Sequence, residues 1–150
     1  MLKLKNIPKE LQSAIDEKGY DKLTSVQSLV LDPSNSGKDL LVSSQTGSGK
    51  TLAYGLSISC DGLKEIIDED NKLKTLIVTP TRELALQVFN ELAWLFYKTS
   101  ITISTAIGGM DIKKERKSIF KGVDLLIGTP GRINDHIRRK TFDLDHLKSL

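Results

Sequence analysis

The sequence predicts an α/β fold in which a parallel β-sheet carries helices on both faces. Short apolar runs rich in β-branched residues alternate with longer segments of helical periodicity, a pattern typical of parallel strands joined by helices. A glycine-rich loop follows the first of these runs and leads straight into a helical segment, as in phosphate-binding sites. The 150 residues have the length of one domain.

Two helices are predicted before the first strand, over residues 8–18 and 25–31. In the first helix, Pro8 suits the first turn because its fixed φ is already helical. Thr24 is the expected N-cap of the second helix. The apolar stripe of this second helix consists of Val26, Leu29 and Val30. Residues 32–37 combine proline, glycine and small polar residues, which predicts a loop.

Strands and helices then alternate to the end of the chain. Runs rich in β-branched residues predict strands at 39–43, 75–79, 101–107 and 123–128. Helices are predicted at 50–58, 83–97 and 111–120. The clearest helix places one apolar face along its length, made of Leu84, Val88, Leu92, Leu95 and Phe96. The acidic segment 61–74 predicts an exposed connection, and the last residues predict the start of another strand.

The composition is that of a globular protein and excludes a disordered or fibrous chain, with 39% hydrophobic and 27% charged residues. A net charge of +3 is too small to indicate a nucleic-acid partner by itself. Cys60 is the only cysteine and cannot form an intrachain disulfide, so we expect a cytoplasmic location. No apolar run has the length of a membrane span, and we expect no membrane association.

The loop Ser44–Thr51 has the residue types of a phosphate-binding loop. Backbone N–H groups can surround a triphosphate closely, and Gly47 and Gly49 allow the backbone to wrap around it. Lys50 is expected to reach the β- and γ-phosphates, and Thr51 to bind Mg²⁺ through its hydroxyl. The other expected nucleotide contacts in this loop are Gln45, Thr46 and Ser48. The loop therefore predicts binding of ATP with Mg²⁺.

Four shorter motifs flank this loop. Gly19-Tyr20 with Thr24-Ser25-Val26-Gln27 precedes it, and the others are Pro80–Gln87, Gly108-Gly109 and Thr129–Arg132. A glutamine amide such as that of Gln27 can donate to one edge atom of adenine and accept from its neighbour, or it can simply lie on the surface. Thr81 and Pro130 come just after strands, where they can begin helices, bind phosphates of a polymeric ligand, or do both.

With these motifs in this order, the chain resembles the amino-terminal RecA-like domain of DEAD-box RNA helicases over nearly its whole length. The resemblance implies that residues 1–31 form the Q-motif helices and that Tyr20 and Gln27 contact adenine. It also implies a sequence-tolerant, salt-sensitive grip on the RNA sugar-phosphate backbone. The residues implied in that grip are Pro80, Thr81, Arg82, Gly108, Gly109, Thr129, Pro130, Gly131 and Arg132.

The resemblance further implies catalytic groups that the 150 residues do not contain. The Asp-Glu-Ala-Asp motif, which helps to hold Mg²⁺ and orients the attacking water, does not occur in the sequence. A second RecA-like domain, which supplies an arginine to the transferring phosphate, is expected beyond Leu150. We therefore expect an ATP-dependent RNA helicase as the parent protein. The 150-residue chain alone, with Lys50 and Thr51 as its catalytic contribution, is expected to hydrolyse ATP poorly or not at all.

Two other functions stay open from the sequence. One is a helicase or translocase of the wider superfamily that acts on DNA, and the other is a non-catalytic module that binds nucleotide and RNA. A kinase or a GTPase is disfavoured because neither accounts for Pro80–Gln87 or Gln27. The basic tract Lys113–Lys117 is interpreted as a solvated helix face, and His136 receives no functional assignment.

Overall fold

The computed structural model describes residues 7–60 and 72–150. These residues form two compact units: residues 7–60 group with Trp94–Thr99, and residues 72–93 group with Ser100–Leu150. The predicted connection over residues 61–74 lies outside the described residues, except for its last three. Within the described ranges, no helix combines the length and the apolar character needed to cross a membrane.

The first unit begins with the two predicted helices. Helix α1 covers Lys9–Glu17 and buries Leu11, Ala14 and Ile15, whereas α2 covers Ser25–Val30. Thr24 caps α2 as predicted, since its hydroxyl accepts the Gln27 N–H while the Gln27 side chain accepts the Thr24 N–H at 2.9 Å. The predicted apolar stripe of α2 is wrong at Leu29, which is 66% exposed. Such a short helix needs only a narrow buried face, which Val26 and Gln27 provide.

A 3₁₀ helix at Pro33–Asn35 lies within the predicted loop, and α3 covers Lys50–Cys60. The predicted strand at residues 39–43 is wrong, because this run has no regular secondary structure. A strand needs a neighbouring backbone to bond its N–H and C=O groups, and no described residue pairs with this run. Leu41 is consequently fully exposed, although its residue type favours burial.

The segment Trp94–Thr99 packs within the first unit. The ring of Trp94 stacks on Tyr20 with centroids 6.1 Å apart, and the Lys18 ammonium lies 5.2 Å from the Trp94 ring. Glu17 accepts hydrogen bonds from Lys98 and Tyr97, and the bond from Lys98 is the main reason that the pKa of the Glu17 carboxyl lies below its usual value. Trp94 therefore has a packing role.

Three of the predicted strands are confirmed and form a parallel sheet. Strands β1, β2 and β3 cover Thr75–Val78, Ile103–Ala106 and Leu125–Gly128, in the order β1-β3-β2. The central strand β3 is buried along its whole length, as expected for a parallel strand covered on both sides. The last residues begin the predicted further strand, since Ser149 bridges to Thr75 in parallel.

Helices α4, α5 and α6 follow the three strands and cover Arg82–Leu95, Ile112–Phe120 and Pro130–Arg138. Of the predicted apolar face, Val88, Leu92 and Leu95 are buried on α4, and Phe96 is buried just after α4 ends, two residues before the predicted end of the helix. Leu84 is 37% exposed, whereas Ala85 is fully buried. The face is therefore rotated by one residue at the start of α4. One cluster of the hydrophobic core in the second unit contains Leu73, Leu76, Ala106, Ile119, Val123, Leu126 and Ile133, with Phe142 and Leu147 packed against it.

Gly128 lies where the backbone of β2 comes very close. A Cβ atom at this position would be 2.4 Å from the Ala106 carbonyl oxygen and 2.9 Å from Ile133 Cγ1. We expect Gly128→Ala to lower the free energy of unfolding by about 1–3 kcal/mol, because the backbone of the neighbouring strand must move. Denaturant unfolding measures this change.

The matched control is Gly131→Ala, since an added Cβ at Gly131 meets no described atom within 4 Å. Alanine also favours the helix in which Gly131 lies, so this control should leave the stability equal or slightly higher. Equal stabilities of Gly128→Ala and the wild type would contradict the close approach.

Candidate nucleotide and nucleic-acid sites

The loop Ser44–Thr51 contains two glycines in a left-handed conformation and leads directly into a helix. Gly47 and Gly49 both have φ of +81°, a left-handed conformation that other residues rarely adopt. The Lys50 ammonium donates to the carbonyl oxygens of Ser44 at 2.7 Å and Gln45 at 2.8 Å, so it lies against the loop backbone. Phosphate oxygens are acceptors of the same kind with more charge, and they can replace these carbonyls.

Helix α3 begins at Lys50, directly after the second left-handed glycine. The first N–H groups of a helix have no partner within the helix, and its positive end favours an anion. Thr51, in the first turn of α3, is half-buried. No cluster of three or more His, Cys, Asp or Glu side chains in residues 7–60 and 72–150 has the arrangement of a metal site.

Gln27 connects helix α2 to the phosphate-binding loop. Its amide oxygen accepts the Thr24 N–H at 2.9 Å, and its amide nitrogen donates to the Gly49 carbonyl at 3.2 Å. The side chain is buried, with an exposed fraction of 4%. These bonds use one of its two N–H groups and one of its two oxygen lone pairs. Tyr20, also predicted to contact adenine, is 43% exposed.

The other predicted site residues lie in the second unit, after the carboxyl ends of the three strands. Pro80–Arg82 follow β1, Gly108-Gly109 follow β2 and Thr129–Arg132 follow β3. The ladder aligns Val78 with Gly128 and Gly128 with Ala106, so the three strands end at the same level. The structure thus brings these three motifs to one edge of the sheet, where open α/β sheets bind ligands.

Arg82 and Gly109 are in close contact at this edge. Thr81 caps α4 by accepting the Leu84 N–H at 3.2 Å, which confirms the capping role, and Arg82 follows it as the first residue of the helix. Gly109 has φ of +82°, and a Cβ there would lie 2.2 Å from Arg82 Nη1. The Arg82 guanidinium therefore occupies the space that glycine leaves open, at an exposed position beside the loop after β2.

Arg132 belongs to a group of charged residues that the sequence did not reveal. Its Nη2 donates to the Met110 carbonyl at 2.9 Å, and its Nε lies 3.6 Å from a Glu115 carboxylate oxygen. That same oxygen is 2.9 Å from His136 Nε2, while the other Glu115 oxygen accepts the Ile107 N–H at 3.1 Å. The chain therefore carries a buried carboxylate next to two of its predicted motifs.

Glu115 and His136 were missed because they are far apart in the sequence and lie among charged neighbours. The solvated helix face predicted for residues 113–117 is confirmed for Lys113, Lys114 and Lys117, which are exposed, and is wrong for Glu115. One signal was present: Glu115 lies three residues after Ile112 and four before Ile119, on the apolar face of α5. A carboxylate in that stripe needs a buried partner.

Comparisons with known proteins agree with this geometry. The family model described as DEAD/DEAH box helicase matches residues 24–150. The chain is 37% identical over 144 residues to the ATP-dependent RNA helicase CshA of Listeria monocytogenes, covering 96% of the chain and 27% of that protein. It is 42% identical over 146 residues to the ATP-dependent RNA helicase HAS1 of Chaetomium globosum, covering 97% of the chain and 25% of that protein. The chain thus spans about a quarter of the length of these relatives.

Solved structures show the same fold. A DEAD box protein from the hyperthermophile Methanococcus jannaschii matches with a TM-score of 0.81 and 33% identity, over 95% of this chain and 38% of that one. A hypothetical ATP-dependent RNA helicase from Sulfolobus tokodaii matches with a TM-score of 0.79 and 31% identity, over 93% of this chain and 39% of that one. The predicted RecA-like fold is confirmed by these two neighbours.

The contact between Gly49 and Gln27 generates a test of the nucleotide site. A Cβ at Gly49 would lie 2.4 Å from the Gln27 amide nitrogen, and the φ of +81° adds strain. We expect Gly49→Ala to weaken the binding of a fluorescent ATP analogue at least about tenfold, because the loop and Gln27 must separate.

Gly37→Ala is the matched control for this test. Gly37 has φ of +69°, yet a Cβ there meets no atom of the described chain within 4 Å. Gly37→Ala carries the backbone strain without the clash, so its nucleotide affinity should stay within about twofold of the wild type. Equal losses in the two variants would show that general strain, and not the contact with Gln27, weakens binding.

Proposed function

The chain belongs to the DEAD/DEAH box helicase family, and we propose that it is the ATP-binding lobe of an ATP-dependent RNA helicase. The whole protein would couple ATP binding and hydrolysis to the unwinding of RNA duplexes or the remodelling of RNA–protein particles. The observation that carries this proposal is the loop Ser44–Thr51, with its two left-handed glycines, the Lys50 ammonium against the loop and the start of α3 behind it.

In the proposed function, the loop Ser44–Thr51 binds ATP together with Mg²⁺. The Lys50 ammonium exchanges the Ser44 and Gln45 carbonyls for phosphate oxygens, and Thr51 provides a hydroxyl to Mg²⁺. The backbone N–H groups of the remaining loop residues surround the phosphates. These residues are Gln45, Thr46, Gly47, Ser48 and Gly49. Tyr20 and the free donor and acceptor capacity of Gln27 contact the adenine.

RNA binds the edge of the sheet in the second unit. The contacts go to the sugar-phosphate backbone and are made by Pro80, Thr81, Arg82, Gly108, Gly109, Thr129, Pro130, Gly131 and Arg132. Two features support this: helices α4 and α6 begin at this edge with their positive ends, and the Arg82 guanidinium is exposed there. Contacts to the sugar-phosphate backbone depend little on the base sequence, so one site can bind RNAs of many sequences.

Hydrolysis and unwinding belong to the whole protein. In phosphoryl transfer, positioning and charge stabilisation produce nearly all of the rate, and an arginine from a second RecA-like domain contributes much of it. The 150 residues provide nucleotide and RNA contacts, so we propose that this chain alone binds ATP with little turnover.

A reducing compartment such as the cytoplasm stays a prediction from the single cysteine.

Nucleotide binding is tested by titrating the protein with fluorescent ATP and GTP analogues in the presence of Mg²⁺. Lys50→Ala removes the cation at the phosphates and should weaken ATP binding by a factor of about ten or more. Gln27→Ala should reduce the preference for ATP over GTP, because the adenine edge loses a donor and an acceptor. Lys38→Ala, an exposed lysine outside the loop, is the control and should bind as the wild type does. Unchanged affinity of Lys50→Ala would refute the nucleotide site.

RNA binding is tested by fluorescence anisotropy with single-stranded RNAs of several sequences and with DNA of the same sequences. Replacing Arg82 and Arg132 together by alanine should weaken RNA binding more than about tenfold. It should also lower the slope of log affinity against log salt, by about 0.7 for each lost phosphate contact. Arg116→Ala, an arginine of α5 that lies over Phe120, is the matched control. A preference for DNA would favour the translocase function instead.

A further inference from the structure

We propose that Glu115 and His136 are positioning residues that hold the RNA-contacting loop after β2 and the Arg132 guanidinium in place. This inference rests on the proposed function, because it concerns the residues that would grip RNA. The buried cluster is defined by four residues: Glu115, Arg132, His136 and Thr141. Helix α5 provides Glu115, α6 provides Arg132 and His136, and Thr141 lies just beyond α6.

Glu115 is the centre of this buried cluster. Its side chain is 7% exposed, and a buried carboxylate is stable only when its oxygens are paired. One oxygen accepts the Ile107 N–H at 3.1 Å, and the other meets His136 Nε2 at 2.9 Å and Arg132 Nε at 3.6 Å. Both oxygens therefore have donors, from the loop after β2 and from helix α6.

His136 is completely buried and has a partner at each ring nitrogen. Nε2 lies 2.9 Å from a Glu115 carboxylate oxygen, which accepts its N–H in the tautomer that carries the hydrogen on Nε2. Nδ1 lies 3.3 Å from the Thr141 hydroxyl, and the Thr141 N–H also donates to the His136 carbonyl at 3.0 Å. The imidazole is thereby fixed in one orientation, and it fixes the carboxylate in turn.

The buried cluster holds both ends of the short loop from Ile107 to Met110. Glu115 binds the N–H of Ile107, immediately before Gly108, and Arg132 binds the carbonyl of Met110, immediately after Gly109. Glycines have more backbone freedom than other residues and no side chains with which to anchor a loop. The conformation of Gly108-Gly109 therefore depends on bonds made by its neighbours, and these bonds converge on Glu115.

Arg132 gains a fixed orientation from the same contacts. Its side chain is 12% exposed, the hydrogen bond to the Met110 carbonyl uses one of its N–H groups, and Glu115 faces its Nε as an ion-pair partner at 3.6 Å. An arginine held in advance loses less conformational freedom when it meets a phosphate. Glu115 and His136 thus act on RNA through other residues, without touching it.

The decisive experiment is a double-mutant cycle between Glu115 and Arg132 in the full chain, measured by RNA anisotropy. Glu115→Gln keeps the volume and an oxygen for the Ile107 N–H, but it removes the charge that orients Arg132. We expect it to weaken RNA binding about five- to tenfold alone and less than about twofold in the Arg132→Ala background. A solely structural role would give the same loss in both backgrounds, and that result would overturn the proposal.

His136 provides a second, conservative comparison. His136→Gln keeps an N–H donor for Glu115 and should retain RNA affinity within about twofold, whereas His136→Leu should lose it to the extent that Glu115→Gln does. Asp145→Asn is the matched control, since it changes an exposed carboxylate of the same unit to an amide. Affinity for the ATP analogue should stay unchanged in all of these variants. Circular dichroism and thermal unfolding of each variant report whether the second unit, which contains all of these residues, is folded.

The NMR resonances of the Gly108 and Gly109 amides report the conformation of the loop independently of RNA binding. They therefore distinguish an error in this inference from an error in the proposed RNA site. If Arg132→Ala weakens RNA binding but Glu115→Gln moves neither the affinity nor these resonances, the positioning role is wrong and the RNA site stands. If Arg132→Ala leaves RNA binding unchanged, the RNA contact of Arg132 is wrong. In that case shifted resonances in Glu115→Gln still support the positioning of the loop, and unshifted ones overturn it.

Discussion

The parallel, in-register pairing of β1, β3 and β2 is the constraint on which the second unit depends. Because all three strands point the same way and end at the same level, the segments after Val78, Ala106 and Gly128 must leave the sheet at one edge. The ladder even continues into these segments, since the Thr79 N–H bonds to the Gly128 carbonyl and the Thr129 N–H to the Ala106 carbonyl. Motifs that lie far apart in the sequence become neighbours for this reason.

Glycines at three positions allow close approaches that a side chain would block. At Gly128 the approaching group is the backbone of the next strand, so the constraint is structural. At Gly49 and Gly109 the approaching groups are the Gln27 amide and the Arg82 guanidinium. In these two cases the glycine has a left-handed conformation as well, so the same residue shapes a loop and makes room for the side chain of another motif. The motifs of each unit are therefore in physical contact with one another.

Buried polar groups also couple the motifs to the scaffold. Gln27 is buried and links a helix cap to the loop that ends at α3, while Glu115 is buried and links α5, α6 and the loop after β2. Each of these groups is stable only because its partners are present. Replacing a partner therefore affects the scaffold and the site at once, which is why a change of binding alone does not distinguish a contact residue from a positioning one.

The sequence by itself determined the features whose causes are local. The helices over residues 8–18 and 25–31, the cap at Thr24, three of the strands and the glycine turns of the loop Ser44–Thr51 all follow from propensity, periodicity and turn chemistry among near neighbours. Only the tertiary structure decided the features that need a distant partner. Residues 39–43 have the residue types of a strand but no paired backbone among the described residues, Leu29 and Leu84 have the periodicity of a core but are exposed, and Glu115 meets His136 21 residues away. Sheet pairing and burial each require two surfaces that the fold brings together. A local sequence pattern describes only one of these two surfaces.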